Sequence, residues 1–499
     1  MKFSLLYKIP ETPNLCDVVY DLSVDKAVRL IYTDARRADY FLSVLMKPLL
    51  TTENVYYRQE ILKDFLNIPK LFSDVKLIFN RYDKMKNDWR ELRSGVYPTA
   101  SGVNQRALRE RTYESLKTTA IFPKSIISFY RSILDILSKY EIQSEGLTNF
   151  KQYCSEMIEN NSLNEIAKIA ALFQYHSPDM YNFSVRINLD ETLKLCVCDL
   201  CGITDFETES ANPFRKFFGK KKTETDYFTD VGEDETADTA GETIDDTLFI
   251  LNEALHHIDA ALTQITNDVY EIFYGFSTEL QFYEAALHFT NWFKNNNLQF
   301  SFPKVLPMED DIFRAENLYD MLLAAEGKKS GGIVENDALL GSNENGILIK
   351  GANKTGKTSY LRAIGLAQLF AQAGLPVCAP DSEISIRSVV FTHFSAAEED
   401  FKMGDTAGRF EGEVQLVAKI VDNLQRYSLI LLNETFQTTS YSEGTEGIYH
   451  ILSALPMAGS KFVFVTRLNG LFEMMKEQDV KYLETGYKDD LYKISTIKL

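Results

Sequence analysis

Gly351-Ala352-Asn353-Lys354-Thr355-Gly356-Lys357-Thr358 satisfies the pattern G-x-x-x-x-G-K-[ST] at every fixed position. Ile347-Leu348-Ile349-Lys350 precedes it and reads as a short buried strand. Ser359 to Ala373 follows without proline and reads as a helix. Strand, glycine loop and helix in that order make a phosphate-binding loop. The glycines let the backbone curl so that its N–H groups point inward at phosphate oxygens, and the helix N-terminus adds partial positive charge at the same place. The amides from Gly351 through Ser359 are candidate phosphate donors. Lys357 is placed to reach the β- and γ-phosphates, and the Thr358 hydroxyl to ligate Mg²⁺. A glycine turn that merely joins strand to helix is the plainer alternative. The complete pattern in its strand–loop–helix setting argues against it.

Further along, Ser428-Leu429-Ile430-Leu431-Leu432-Asn433-Glu434 is an apolar strand ending in two polar residues, as a Walker B segment does. Thr435-Phe436-Gln437-Thr438-Thr439-Ser440-Tyr441-Ser442-Glu443-Gly444 comes next. That run resembles the D-E-I-G-R-G-T-S-T-x-D-G stretch of MutS-family ATPases, part of the wider ABC-type group. Val334-Glu335-Asn336-Asp337 is similar to the Asn-containing loop ahead of the P-loop in the same family. The order of Gly374 to Pro380, Phe391 to Phe394 and the acids at Glu398 to Asp400 matches too. Met46-Lys47-Pro48-Leu49-Leu50, followed by Tyr57 to Phe65, resembles the helical core of MutS proteins. The resemblance is specific over residues 330–470 and weaker but collinear over 20–330.

The resemblance implies ATP and Mg²⁺ as ligands, and a homodimer in which each P-loop is completed by the other subunit's signature segment. DNA is the family's usual ligand. It also implies roles for Asn336 near the nucleotide, Asn433 in the metal's outer shell and Glu434 as the base that orients the attacking water. Three departures stand out. Asn433 takes the place of an Asp, keeping hydrogen bonding without the charge. The family's Ser-Thr signature maps near Thr406-Ala407-Gly408-Arg409-Phe410, where Gly408 and Arg409 replace the hydroxyl pair and Arg409 offers a different phosphate ligand. Thr466-Arg467 stands where the family has Thr-His, which makes Arg467 a further candidate at the nucleotide. Glu434 survives, so hydrolysis is expected, and it is expected to be slow.

A chain of 499 residues, 45% of them hydrophobic, is long enough for more than one core. No run approaches the roughly 18–20 apolar residues of a membrane span. Met1 to Pro10 is too short and too soon broken by proline for a secretory signal. Six cysteines do not make a disulfide scaffold, so a cytoplasmic, reduced protein is expected. Cys196-Val197-Cys198-Asp199-Leu200-Cys201 groups three thiols, with Cys154 or His176 as a remote fourth ligand. Its C-x-C-x-x-C spacing is not that of structural zinc, and the alternation of Leu193, Leu195 and Val197 favours a plain strand.

The net charge of −18 argues against a broad nucleic-acid coat. Arg81 to Arg131 runs the other way, with eleven Lys/Arg against five Asp/Glu. This stretch is either a DNA-facing surface or a solvated mixed-charge helix face. A mismatch-wedge domain is not expected, because core-like sequence begins near residue 20. Phe282-Tyr283-Glu284 fits the wedge tripeptide but lies in a long apolar-periodic stretch, which points to core packing. Residues 203–246 read as an insertion. Phe214 to Lys222 is basic and aromatic, and Glu224 to Asp246 carries ten acids and no base.

Leu251, Leu255, Ile258, Leu262, Ile265, Val269, Ile272 and Phe276 are spaced 4, 3, 4, 3, 4, 3 and 4 residues apart. A 3.5-residue repeat places all eight on one seam of a long helix that spans on the order of 60 Å. Ile126, Tyr130, Ile133, Leu137 and Tyr140 offer a partner seam. The expected architecture is an α/β P-loop, ABC-type ATPase domain over 331–499, preceded by a mainly α-helical core and lever over 1–330 with a long coiled-coil-like helix. The expected function is that of a DNA-binding ATPase in repair or recombination without classical mismatch recognition. Two alternatives are a nucleotide-gated dimeric clamp with little hydrolysis, and an ATPase acting on a protein partner.

Overall fold

The computed structural model describes residues 3–32, 34–94, 105–175, 181–189, 195–205, 239–327, 333–395, 406–436, 440–486 and 492–497. The chain forms two compact units. One comprises Met1–Pro69, Ile142–Thr148 and Thr278–Leu499, and the other Lys70–Glu141 and Asn149–Ser277. Strands are β1 (Tyr181–Leu189) and β2 (Leu195–Asp205) in the second unit. In the first they are β3 (Lys304–Leu306), β4 (Phe313–Leu318), β5 (Asn336–Leu340), β6 (Gly346–Lys350), β7 (Asp381–Ser385), β8 (Val390–Phe394), β9 (Leu429–Asn433), β10 (Lys461–Val465), β11 (Val480–Thr485) and β12 (Ile494–Thr496).

The first unit is organised by a six-stranded sheet of order β12-β11-β6-β10-β9-β8. All pairings are parallel except that of edge strand β12. Every residue of β9 and β10 is buried, and apart from Asn433 at the end of β9 and Lys461 at the start of β10 both strands are continuously apolar instead of alternating. Leu348, Ile430, Leu432, Phe462 and Phe464 pack with Ile448, Leu452 and Leu471 in one core. Because β6, β9 and β10 are parallel neighbours, the loops that leave their C-terminal ends emerge along one edge of the sheet, where ligands bind in open α/β sheets. A second, four-stranded sheet has the order β3-β7-β4-β5.

The helix Lys357–Ala373 is buried along most of its length. It is rich in Ala and Leu, and a Cβ at Gly365 would come within 2.8 Å of both Leu22 and Leu431. Gly374, at φ +80°, ends it, with Leu375 N–H returning to Phe370 O at 2.9 Å. The N-terminal residues are part of this unit. Leu49 N–H donates to Gln372 O at 3.1 Å, and Gln372 Nε2 donates to Leu49 O at 2.8 Å. Arg58 on the helix Thr52–Asn67 is fully buried and donates through Nε to Leu6 O at 2.9 Å. Phe282 and Tyr283 are also fully buried, and the Tyr283 hydroxyl donates to Leu5 O, so this tripeptide is core.

The long helix runs Thr239–Asn295, 57 residues in all, longer than the seam alone requires. Its seam residues Leu255, Ile258, Leu262 and Phe276 are buried. The first three pack with Leu116 and Ala170 of neighbouring helices and with Ala120 at the turn between two of them, all in the second unit. The expected partner seam lies on the helix Ile121–Lys139, where Ile126, Tyr130, Ile133 and Leu137 are buried. Phe129 of that helix meets Phe273 edge-on at 4.9 Å. β1 and β2 form an antiparallel hairpin, and β2 carries Cys196, Cys198 and Cys201, as the strand reading expects. His176 and most of the 203–246 insertion lie outside the described residues. Among the described residues no helix is long and apolar enough to cross a membrane, and no group of three His, Cys, Asp or Glu is arranged to hold a metal.

Candidate nucleotide-binding site

The loop after β6 turns through three residues of positive φ: Gly351 at +153°, Lys354 at +63° and Gly356 at +89°. Gly351 has no room for a side chain, and at Gly356 the positive φ and a close Tyr492 ring disfavour one. A Cβ on Gly351 would lie 1.8 Å from Thr485 Oγ1, and one on Gly356 would lie 3.3 Å from the Tyr492 ring. Thr355 is buried. Its hydroxyl donates to Ala352 O at 2.7 Å and shares a hydrogen bond of 2.7 Å with Thr485 Oγ1, which ties the loop to the end of β11. The Lys357 ammonium donates to Gly351 O at 2.9 Å and Ala352 O at 2.7 Å, folding back over the loop. Burial lowers its pKa below the usual lysine value and the nearby Arg467 adds to this, while Glu434 opposes. Ala352, Asn353, Lys354 and Thr358 are exposed, and Ser359 is half-buried at the start of the helix. A cation backed by a helix N-terminus and a ring of loop amides is suited to a polyphosphate.

The opposite wall comes from β9 and β10. Thr358 Oγ1 donates to Asn433 Oδ1 at 3.1 Å, which joins the loop to the end of β9. These are two hard oxygen donors, of the kind Mg²⁺ takes in small number beside phosphate oxygens and water. Glu434 follows at φ +53° and Phe436 at φ +64°, two left-handed non-glycine residues within three positions. The Glu434 N–H donates to Val465 O at 2.8 Å, and its carboxylate accepts from Arg467 Nη2 at 2.9 Å. Thr435 between them is buried, with Oγ1 at 2.8 Å from Nδ1 of His393 on β8. Burial lowers the His393 pKa against the opposing pull of Glu413 and Asp21.

Lys357, Thr358, Asn433, Glu434 and Arg467 are therefore brought together. Asn336 is used differently. Its Nδ2 donates to Tyr492 O at 3.0 Å and its Oδ1 accepts from Ile494 N–H at 2.8 Å, which pins the chain that carries Tyr492 beside Gly356. Gly408 and Arg409 lie in the first turn of the helix Thr406–Asp422. Residues 398–400 and 437–439 lie outside the described set. Thr485, Tyr492, His393, Thr435 and Glu413 were not singled out by sequence. Thr485, Tyr492, His393 and Glu413 each meet the site across tens of residues, whereas Thr435 directly follows Glu434; the sequence signals Glu413 only in that it shares a helix with Gly408 and Arg409.

Residues 347–495 match MutS domain V, and residues 50–295 match the MutS2 N-terminal domain. The chain is 31% identical over 160 residues to the DNA mismatch repair protein MutS of Thermosipho melanesiensis, a match covering 31% of this chain and 19% of that protein. It is also 31% identical over 160 residues to the MutS of Chlorobium limicola, covering 31% and 18%. With the MutS of Clostridium botulinum it shares 34% over 137 residues, covering 26% and 14%. The match thus spans less than a fifth of the length of each of these relatives.

Proposed function

We propose that this chain, which belongs to the MutS family and carries an ATPase domain of the MutS domain V type, binds ATP with Mg²⁺ and hydrolyses it to ADP and phosphate at the site described. The observation that carries the proposal is the joining of both nucleotide motifs by the Thr358–Asn433 hydrogen bond, with Lys357 and Glu434 beside it. In this reading the loop amides and Lys357 bind the phosphates, and Glu434 accepts the proton side of the attacking water and orients it. Thr358 and Asn433 are the side chains that would hold Mg²⁺, whose charge offsets that of the phosphates. Residues 331–499 carry this chemistry, and residues 1–330 serve as core and lever. MutS-family ATPases dimerise, and we take this chain to form a homodimer through its ATPase region, with Gly408 and Arg409 presented to the partner's nucleotide.

The ligand we assign is DNA, in repair or recombination, without mismatch preference. Phe282-Tyr283-Glu284 is locked in the core and does not reach a duplex. A nucleotide-gated clamp with little turnover is the second reading, and one observation favours it: Glu434 is engaged by Arg467.

The test is the ATPase rate with and without single-stranded, duplex and branched DNA, joined to a competition between matched and mismatched duplex. Mg²⁺-dependent turnover raised by DNA supports the proposal. ATP binding without turnover selects the clamp. An ATPase indifferent to all three DNAs points to a protein partner. A mismatch preference above about tenfold, or about 1.4 kcal/mol, contradicts the assignment.

A further inference from the structure

We propose that Glu413 is a positioning residue for hydrolysis, fixing the backbone that presents Glu434; the inference rests on the assignment of Glu434 as the hydrolytic base. The turn 434–436 is strained, with left-handed φ at Glu434 and Phe436. Such a turn persists only where its surroundings over-determine it. Two of its tethers come from neighbouring strands: Val465 O on β10 takes the Glu434 N–H, and His393 on β8 meets the Thr435 hydroxyl. The third comes from outside the sheet. Phe436 N–H donates to Glu413 Oε2 at 3.0 Å, a charge-assisted bond from the helix Thr406–Asp422.

The other oxygen of the same carboxylate works on the opposite side. Glu413 Oε1 accepts from Ser395 Oγ at 2.7 Å, and Ser395 N–H donates to Asn433 O at 3.0 Å. One nearly buried carboxylate therefore braces the chain both before and after Glu434. Phe410, from the same helix, packs edge-on against Phe436 with ring centroids 5.6 Å apart. The helix begins at Thr406, so Gly408 and Arg409 lie about one turn upstream of Glu413. Through Glu413 this helix is bonded to the chain on both sides of Glu434. The device links the segment we assign to the partner's nucleotide with the base of the subunit's own site.

The experiment uses the full chain as wild type, Glu413→Ala, Glu413→Gln and Ser395→Ala. ATP affinity is measured at equilibrium, and hydrolysis in a single turnover. Glu413→Ala should slow hydrolysis about tenfold or more with ATP affinity within about twofold, because it misplaces the base and leaves the phosphate loop alone. Glu413→Gln should stay within about threefold of wild type, since its amide oxygen still accepts from Phe436 N–H. Placed on Glu434→Gln, the alanine change should cost nothing further, because both act through one carboxylate. Wild-type hydrolysis by Glu413→Ala, or equal loss of binding and hydrolysis, would overturn the proposal. Should the alanine variant not fold, Ser395→Ala decides: a slower rate at unchanged affinity supports the brace, and an unchanged rate overturns it. A wild type that binds ATP without turnover shows, before any variant is compared, that the underlying assignment fails and takes this inference with it.

Discussion

Residues 351–358 are shaped largely by contacts with one another, whereas residues 433–436 are held by partners distant in sequence. In the loop, Thr355 and Lys357 bond to carbonyls three to six positions away, and two long-range hydrogen bonds, Thr355 to Thr485 and Thr358 to Asn433, tie it to the sheet. In the wall, Asn433 meets Thr358, Glu434 meets Arg467 and Val465, Thr435 meets His393, and Phe436 meets Glu413. None of those partners is closer than 23 residues. The loop thus carries much of its bonding within eight consecutive residues, while the wall needs the sheet to be assembled first. Substitutions in the loop should accordingly harm binding, and substitutions in the wall should harm turnover.

The largest expected effect is at Lys357. Lys357→Ala removes a cation that makes charge-assisted bonds worth about 1.5–3 kcal/mol each, so ATP affinity should fall by about tenfold to a hundredfold or more. Isothermal titration with a non-hydrolysable analogue measures it, and unchanged affinity would break the phosphate-loop assignment. A smaller effect is expected on the other side. Asn433→Asp keeps the oxygen that faces Thr358 and adds a charge beside the metal position, so Mg²⁺ should bind several-fold more tightly with little change in ATP affinity. A Mg²⁺ titration of the ATPase rate checks this. An unchanged midpoint would remove Asn433 from the metal's surroundings and sharpen the contrast to Glu434 alone.

The same contrast explains what was legible in the sequence. The strand–loop–helix around Gly351 was readable because its information is contiguous, and the structure places it as β6, loop and the helix Lys357–Ala373. The buried strand ending at Asn433 was readable from its unbroken apolar run. The long helix was readable from its 3.5-residue repeat, but the seam is only partly buried: Leu255, Ile258, Leu262 and Phe276 are buried, Ile265, Val269 and Ile272 are half-buried, and Thr266 and Phe273 are buried beside them, because a straight helix of 3.6 residues per turn drifts off a 3.5-residue repeat. Strand β3 was not readable. It has three residues and pairs with β7, so a partner some eighty residues away defines it. Arg58 carried no signal either: a fully buried arginine looks like a surface one until Leu6, Ala373 and the Phe282 ring close around it. Glu413 was hidden in the same way, since a carboxylate on a helix with mixed exposure is read as solvated until its two acceptor oxygens are seen to be used.

In the proposed function one wall residue, Glu434, turns over a nucleotide whose phosphates are held by the loop. The most direct test of this claim is a paired measurement on wild type and Glu434→Gln: equilibrium affinity for MgATP, and the rate of a single turnover. We expect affinity within about twofold and hydrolysis slowed by about a hundredfold or more, the range for removing a positioned general base. Equal single-turnover rates in the two proteins would contradict the claim and place the base elsewhere.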